Sequence, residues 1–330
     1  MKLQWIKKRI KAACASVFLL SSQVSFAAQV RIAVPESPLS LPFFVAHEMG
    51  YFEKNGIQPQ LMLCNSGRQC IELMKERRVD FAASSELPLM YLAFENSPVS
   101  ILSTFAINRD HLKLLALREK VNDPNWRWQG KRIGYAPQTA SHYFMDLFLI
   151  YNGIEPGELL QISKPVEDLP AALLNGEVDA ISVWEPYASK TLSDQKQAVV
   201  SVDLPHLYTQ SFNLVVHNDF KKKQPKQVKA VLHALGEAID HIGAFPLRSK
   251  VIMSRNLKMP REYVDQIWHR YMFRLELQRS LISTLNGQAQ WAIRENHLQQ
   301  NLHEVPNFKE LIDASFLREY KPEQVDFIYR

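Results

Sequence analysis

Two hydrophobic patterns alternate along the chain. "FAAS" (81–84) and "AISVW" (180–184) are apolar without polar alternation, as strands covered on both faces are. "VRIAV" (30–34) and "RIGYA" (132–136) are further β-prone runs, stopped by Pro35 and Pro137. Between them lie amphipathic stretches of helical length, "LPFFVAHEMGYFEK" (41–54) and "SHYFMDLFLIY" (141–151). Asn-Gly at 55–56 and 152–153 fits helix C-termini, where a left-handed residue is needed. Strands alternating with such helices predict parallel βαβ units.

The whole pattern occurs twice. "RRVDFAASSELP" (77–88) and "GEVDAISVWEPY" (176–187) lie 99 positions apart, and each places a Glu six positions after an Asp: Asp80/Glu86 and Asp179/Glu185. "NGIQPQL" at 55 is answered by "NGIEPGEL" at 152. A doubled unit of about 100 residues implies two similar α/β lobes. Ligands of such sheets sit at the carboxyl ends of strands, beside the N-termini of the following helices. Those places are "PESPLSLPF", "SSELP", "PQTASHYF" and "WEPY", and two lobes facing each other across them make a clamp.

"HLKLLALREK" (111–120) and "SFNLVVHNDF" (211–220) bracket the second unit as crossover strands. The segments 225–245, 261–273 and 281–298 read as helices. Val228, Val231, Leu232, Leu235, Ile239 and Ile242 share one helical face, so this tail should pack on the first lobe. Trp126 and Trp128, in a loop-like stretch, read as covers for the second lobe.

The N-terminus changes the charge picture. A basic head (Lys2 to Lys11), an apolar run from Ala12 to Leu20 and small residues at Ser25 and Ala27 have the layout of a cleaved secretory signal peptide, residues 1–27. All five charges in it are basic, so the remainder carries 34 of each sign, and the basic balance of the whole chain (39 against 34) gives no argument for nucleic acid. The remaining 303 or so residues, in a chain 46% apolar, suffice for a large core. An exported protein is expected, and Cys64 and Cys70 are then candidates for a disulfide in an oxidising compartment; two free thiols are the alternative.

"LPFFVAHEMGYFEKNGI", "VDFAASSELP", "GKRIGYAPQTASHYFMDLFL" and "LLNGEVDAISVWEPYA", in that order, resemble the periplasmic substrate-binding proteins of ABC importers, in the branch that binds nitrate, taurine, alkanesulfonates and thiamine precursors. The resemblance implies a type II two-lobed α/β clamp, each lobe a mainly parallel sheet flanked by helices, with two hinge crossings. Lobe 1 would comprise 28–117 plus 213–330 and lobe 2 118–212, with bending around Leu115–Arg118 and Asn213–Val216. It also implies a monomer that presents a small polar ligand to a membrane permease, with no cofactor, metal or catalysis. A periplasmic sensor docking on a signalling receptor is the alternative.

The site residues follow from the four loops. Thr139, Ser141 and His142 open a helix whose free N–H groups suit an oxoanion; Thr139 or Ser141 could equally cap it. Ser37, Leu39 and Ser40 occupy the matching loop, and Ser84 and Ser85 follow a strand. Trp184 would wall the ligand or pack the hinge. Glu185, like Glu86, would cap a helix, bind a ligand amine or meet an arginine of the permease. These loops hold Glu36, Glu86 and Glu185 but no firmly placed cation, with Arg68 and Arg109 the nearest. A zwitterion or a cationic heterocycle therefore fits as well as a simple anion. Sequences for nucleophile elbows, zinc proteases, dinucleotide folds and phosphate loops are absent.

Overall fold

Each half of the repeat builds the same three-stranded parallel unit. In the computed structural model, which describes residues 28–195, 198–298 and 303–326, β1 (Ala28–Pro35) lies between β2 (Ile57–Cys64) and β3 (Phe81–Ser85). In the second half, β6 (Arg132–Tyr135) lies between β7 (Leu160–Ser163) and β8 (Ala180–Trp184), again parallel. The signal peptide expected at 1–27 lies outside the described residues.

The repeated aspartates close each unit in the same way. Asp80 accepts from the backbone N–H of Arg31 at 3.0 Å and from its Nε and Nη2 at 3.1 and 2.7 Å. Asp179 accepts from the same three groups of Arg132 at 2.9, 3.1 and 3.1 Å. One carboxylate thus fastens the start of its strand to the neighbouring strand through a bidentate, charge-assisted pair.

The helices that follow these strands are α1 (Leu41–Glu48), α2 (Gly67–Lys75), α3 (Glu86–Phe94) and α4 (Ala140–Asn152). Gly56 and Gly153 sit at φ of +78° and +62°, the left-handed conformation expected of the Asn-Gly pairs.

One strand arriving from the other half joins each parallel unit antiparallel to it, β10 beside β3 in the first sheet and β5 beside β8 in the second. The first sheet has the order β11-β4-β10-β3-β1-β2, with β4 (Val99–Asn108), β10 (Gln210–His217) and β11 (Tyr271–Glu276). The second has the order β7-β6-β8-β5-β9, with β5 (Leu112–Leu117) and β9 (Val199–Ser201). The chain therefore crosses between sheets at 109–111 and 202–209, earlier than the boundaries expected at 117/118 and 212/213. Most of Leu115–Arg118 and all of Asn213–Val216, expected to bend, are hydrogen-bonded ladder instead.

Two separate cores result. One gathers the first sheet, its helices and the tail, including Val228, Leu232 and Leu235 of α5 (Pro225–Ala244). The other gathers the second sheet, with Trp128 edge-on to Phe148 at 4.8 Å. The stretch expected as one helix at 261–273 divides. α6 (Arg261–Ile267) ends, and Tyr271–Glu276 pairs with β4, as the alternation of Tyr271, Phe273 and Leu275 favours. α7 (Arg279–Arg294) follows. No helix among the described residues is long and apolar enough to cross a membrane.

Candidate functional site

The carboxyl ends of both parallel units meet at one cleft. The first half contributes Ser37 after β1, Ser66, Gly67 and Arg68 after β2, and Ser85 at the end of β3. The second contributes Thr139 and Ala140 after β6 and Trp184 at the end of β8. His111, Gln210 and Phe212, at and beside the crossings, form the floor. The pocket adjoins a wider groove of about 450 Å³ that shares Ser66, Arg68, Thr139 and Trp184 and adds Lys164 and Glu167.

Three helices begin at this cleft, each capped or entered by a small hydroxyl residue. Ser66 caps α2 by accepting from the N–H of Gln69 at 3.1 Å, and Thr139 caps α4 by accepting from Ser141 at 3.2 Å. Ser85 precedes α3 without using its side chain as a cap. Helix N-termini carry partial positive charge and unsatisfied N–H groups, which favours a negatively charged guest. Arg68 adds a full positive charge. Its Nη1 donates to the carbonyl of Pro137 at 2.9 Å, so a residue of the first lobe reaches across the cleft to the second.

Gly67 makes this approach possible. A Cβ there would lie 2.7 Å from Ser84 Oγ and 3.0 Å from Ser84 Cα, so only glycine lets the first turn of α2 sit against the end of β3. The Cys64–Cys70 disulfide, with Cα atoms 5.6 Å apart, ties the end of β2 to that turn.

The two repeated glutamates face away from the cleft. Glu86 is buried and accepts from Tyr208 Oη at 2.7 Å and from the N–H of Ser211 at 2.5 Å. Burial outweighs these hydrogen bonds and pushes its carboxyl up to about 7. Glu185 is equally buried and accepts from Tyr263 Oη of α6 at 2.6 Å and from the N–H of Ser189 at 3.0 Å. Its carboxyl is likewise raised by burial. Each repeated Glu thus reaches out of its own unit: Glu86 to the crossing that returns from lobe 2, Glu185 to a helix of lobe 1.

Four of the residues expected from sequence therefore line the pocket: Ser37, Ser85, Thr139 and Trp184. Leu39 is wholly buried in the first core. Ser40 and Ser84 are buried beneath the loops, and their hydroxyls have no hydrogen-bond partner among the described residues. Ser141 locks α4 to β8, donating to the carbonyl of Ser182 at 2.7 Å while Ser182 Oγ donates back to the carbonyl of Ser141 at 2.8 Å. His142 stacks on Tyr135 at 4.5 Å, away from the pocket lining.

The β2–α2 junction and the crossings supply what the sequence reading lacked. "NSGRQ" carries the signal, a Ser at a helix N-cap with an Arg two positions on. His111 lies beside Ser37, its Nε2 3.4 Å from Ser37 Oγ and its Nδ1 3.3 Å from Tyr271 Oη. Burial, with a smaller contribution from Lys113, lowers its imidazole to about 3, so it meets a guest uncharged. Nothing local in the sequence marks His111, because the first crossing brings it there.

Two α/β lobes with this strand order, joined by two crossings over a cleft at their strand ends, define the periplasmic binding protein fold. The chain belongs to the NMT1/THI5-like family, whose profile matches residues 37–248. It is 24% identical over 210 residues to the taurine-binding periplasmic protein of Escherichia coli (strain K12), covering 63% of this chain and 65% of that one. It is 22% identical over 215 residues to the 4-amino-5-hydroxymethyl-2-methylpyrimidine phosphate synthase of Schizosaccharomyces pombe, covering 61% of each. These curated relatives are thus matched over less than two thirds of their own length. The alkanesulfonate-binding protein SsuA of Xanthomonas axonopodis pv. citri, solved bound to MOPS, superposes with a TM-score of 0.73 at 14% identity, covering 87% of this chain and 99% of that one.

Proposed function

We propose that this chain is the exported solute-binding component of an ABC importer, holding a small organic oxoanion of the sulfonate class between its lobes and delivering it unchanged to an inner-membrane permease. The observation that carries the reading is the charge arrangement of the cleft. Three helix N-termini and Arg68 point into it, while Glu86 and Glu185 turn their carboxylates into hydrogen bonds elsewhere. Two of the three glutamates counted from the sequence are therefore withdrawn from a guest. Taurine and alkanesulfonates, bound by relatives of similar fold, supply three oxygens for such donors. Contact with both lobes at once favours the closed arrangement.

A thermal-shift panel on the untagged protein, stripped of ligand by unfolding and refolding, tests the substrate class. Taurine, alkanesulfonates, nitrate, thiamine and its pyrimidine precursor form the panel. A ligand at 100 times its dissociation constant adds about 2.7 kcal/mol. The expected outcome is a rise in melting temperature with one or more sulfonates. A rise only with thiamine or the pyrimidine would overturn the anion assignment.

A further inference from the structure

A second cluster of chemistry lies apart from the cleft, where α4 of lobe 2 meets the chain just after α7 of lobe 1. His142 and Asp146 stand four residues apart on one face of α4, and His297 faces them from the other lobe. One ligand atom from each lies within 4.8 Å of the others. None of the three lines the pocket or the adjoining groove.

Ordinary packing leaves this cluster unsatisfied. His142 is 4% exposed, yet neither of its ring nitrogens has a hydrogen-bond partner among the described residues. Asp146 is 7% exposed; its Oδ2 accepts from Trp291 Nε1 at 2.8 Å and lies 3.4 Å from His297 Nε2, while its Oδ1 is unpartnered among the described residues. A buried imidazole with both nitrogens idle beside a buried, half-used carboxylate is uncommon in a folded protein. The rings of Tyr135, Trp291 and His297 hold His142 in place by contact at 4.5, 5.1 and 4.3 Å, without giving it a donor or acceptor.

We propose that His142, Asp146 and His297 form a divalent transition-metal site, of the kind zinc occupies, that staples the two lobes together outside the ligand cleft. Two imidazoles and one carboxylate are a donor set suited to zinc, which leaves a fourth position for water. Ligand atoms on a tetrahedral zinc lie roughly 3.4 Å apart, so a bound ion would draw together atoms that now lie within 4.8 Å of one another. Trp291 is the supporting partner: its hydrogen bond to Asp146 Oδ2 fixes the carboxylate beside His297 and leaves Oδ1 without a hydrogen bond. Because the ligands come from both lobes, a bound ion holds the present arrangement of the clamp.

The test uses untagged protein expressed from the full chain, treated with chelator and titrated with zinc chloride alone and, separately, with cobalt(II). One ion per chain at a micromolar or lower dissociation constant is expected, with a raised melting temperature and a change in tryptophan fluorescence. Cobalt should give the strong visible bands of tetrahedral coordination. His297→Gln, at a partly exposed position, should keep the circular dichroism of the parent and weaken zinc binding at least tenfold, and Asp146→Asn should do the same. No binding by the stripped protein, or binding indifferent to both substitutions, would overturn the proposal.

Discussion

Gly67 shows how one residue sets the chemistry of the cleft. It lets the first turn of α2 press against β3, which places Ser66 and Arg68 at the pocket. Gly67→Ala must move backbone, since the new Cβ would meet Ser84 Cα at 3.0 Å and Ser85 N at 3.1 Å as well as the Ser84 hydroxyl. Overpacking of this kind costs about 1–3 kcal/mol. The expected outcome is a lower denaturation midpoint together with weaker ligand binding, because the helix and its arginine shift as one. Unchanged stability and affinity would show that the junction is not tightly packed. Arg68 itself was visible in the sequence as a cation, but not as a cleft residue. Its place depends on which strand end faces the other lobe, and that is a property of the sheet order.

At the scale of elements, the two glutamates of the repeat act as anchors between the lobes and the crossings. Glu86 holds Tyr208 and the start of β10, and Gln288 Nε2 of α7 donates to the same Tyr208 hydroxyl at 3.1 Å. Since burial raises the Glu86 carboxyl to about 7 from the ordinary carboxylate range, the folded protein binds a proton here that the unfolded chain has already released. The sign follows. This group's contribution is fully present below about pH 4.5 and is lost as pH rises through 7, a change of a few kcal/mol at most. Glu86→Gln should flatten the fall in stability between pH 5 and 8, read from denaturant midpoints across that range. A variant with the slope of the parent would contradict this role.

Much of this scale was legible beforehand. The doubled strand–helix order, the glycine turns and the apolar face of α5 follow from local pattern and appear as expected. The roles of Asp80 and Asp179 did not, because their partners Arg31 and Arg132 stand 49 and 47 positions away. Ser84, Ser141 and Glu185 show the same limit. Each stands at a strand end or helix start that does face the cleft, but packing turns its side chain inward. The crossings were misplaced for a related reason. β5 and β10 are apolar enough to belong to either sheet, and only the ladders with β8 and β3 decide.

The whole molecule is two copies of one unit that exchange strands. β4 of the first sheet continues as β5 of the second, and β9 of the second continues as β10 of the first. The two crossings at 109–111 and 202–209 join two separate cores, the arrangement on which hinge closure of two lobes around a ligand operates. The cleft is proposed to capture an organic oxoanion without converting it. Calorimetric titration of the stripped protein with taurine and a short alkanesulfonate, beside Arg68→Gln, tests it most directly, with the bound compound recovered and weighed by mass spectrometry. One sulfonate bound per chain, recovered unchanged, with affinity reduced at least tenfold in the variant, is the expected outcome. Binding of neither sulfonate, equal affinity in the variant, or recovery of an altered compound would contradict it.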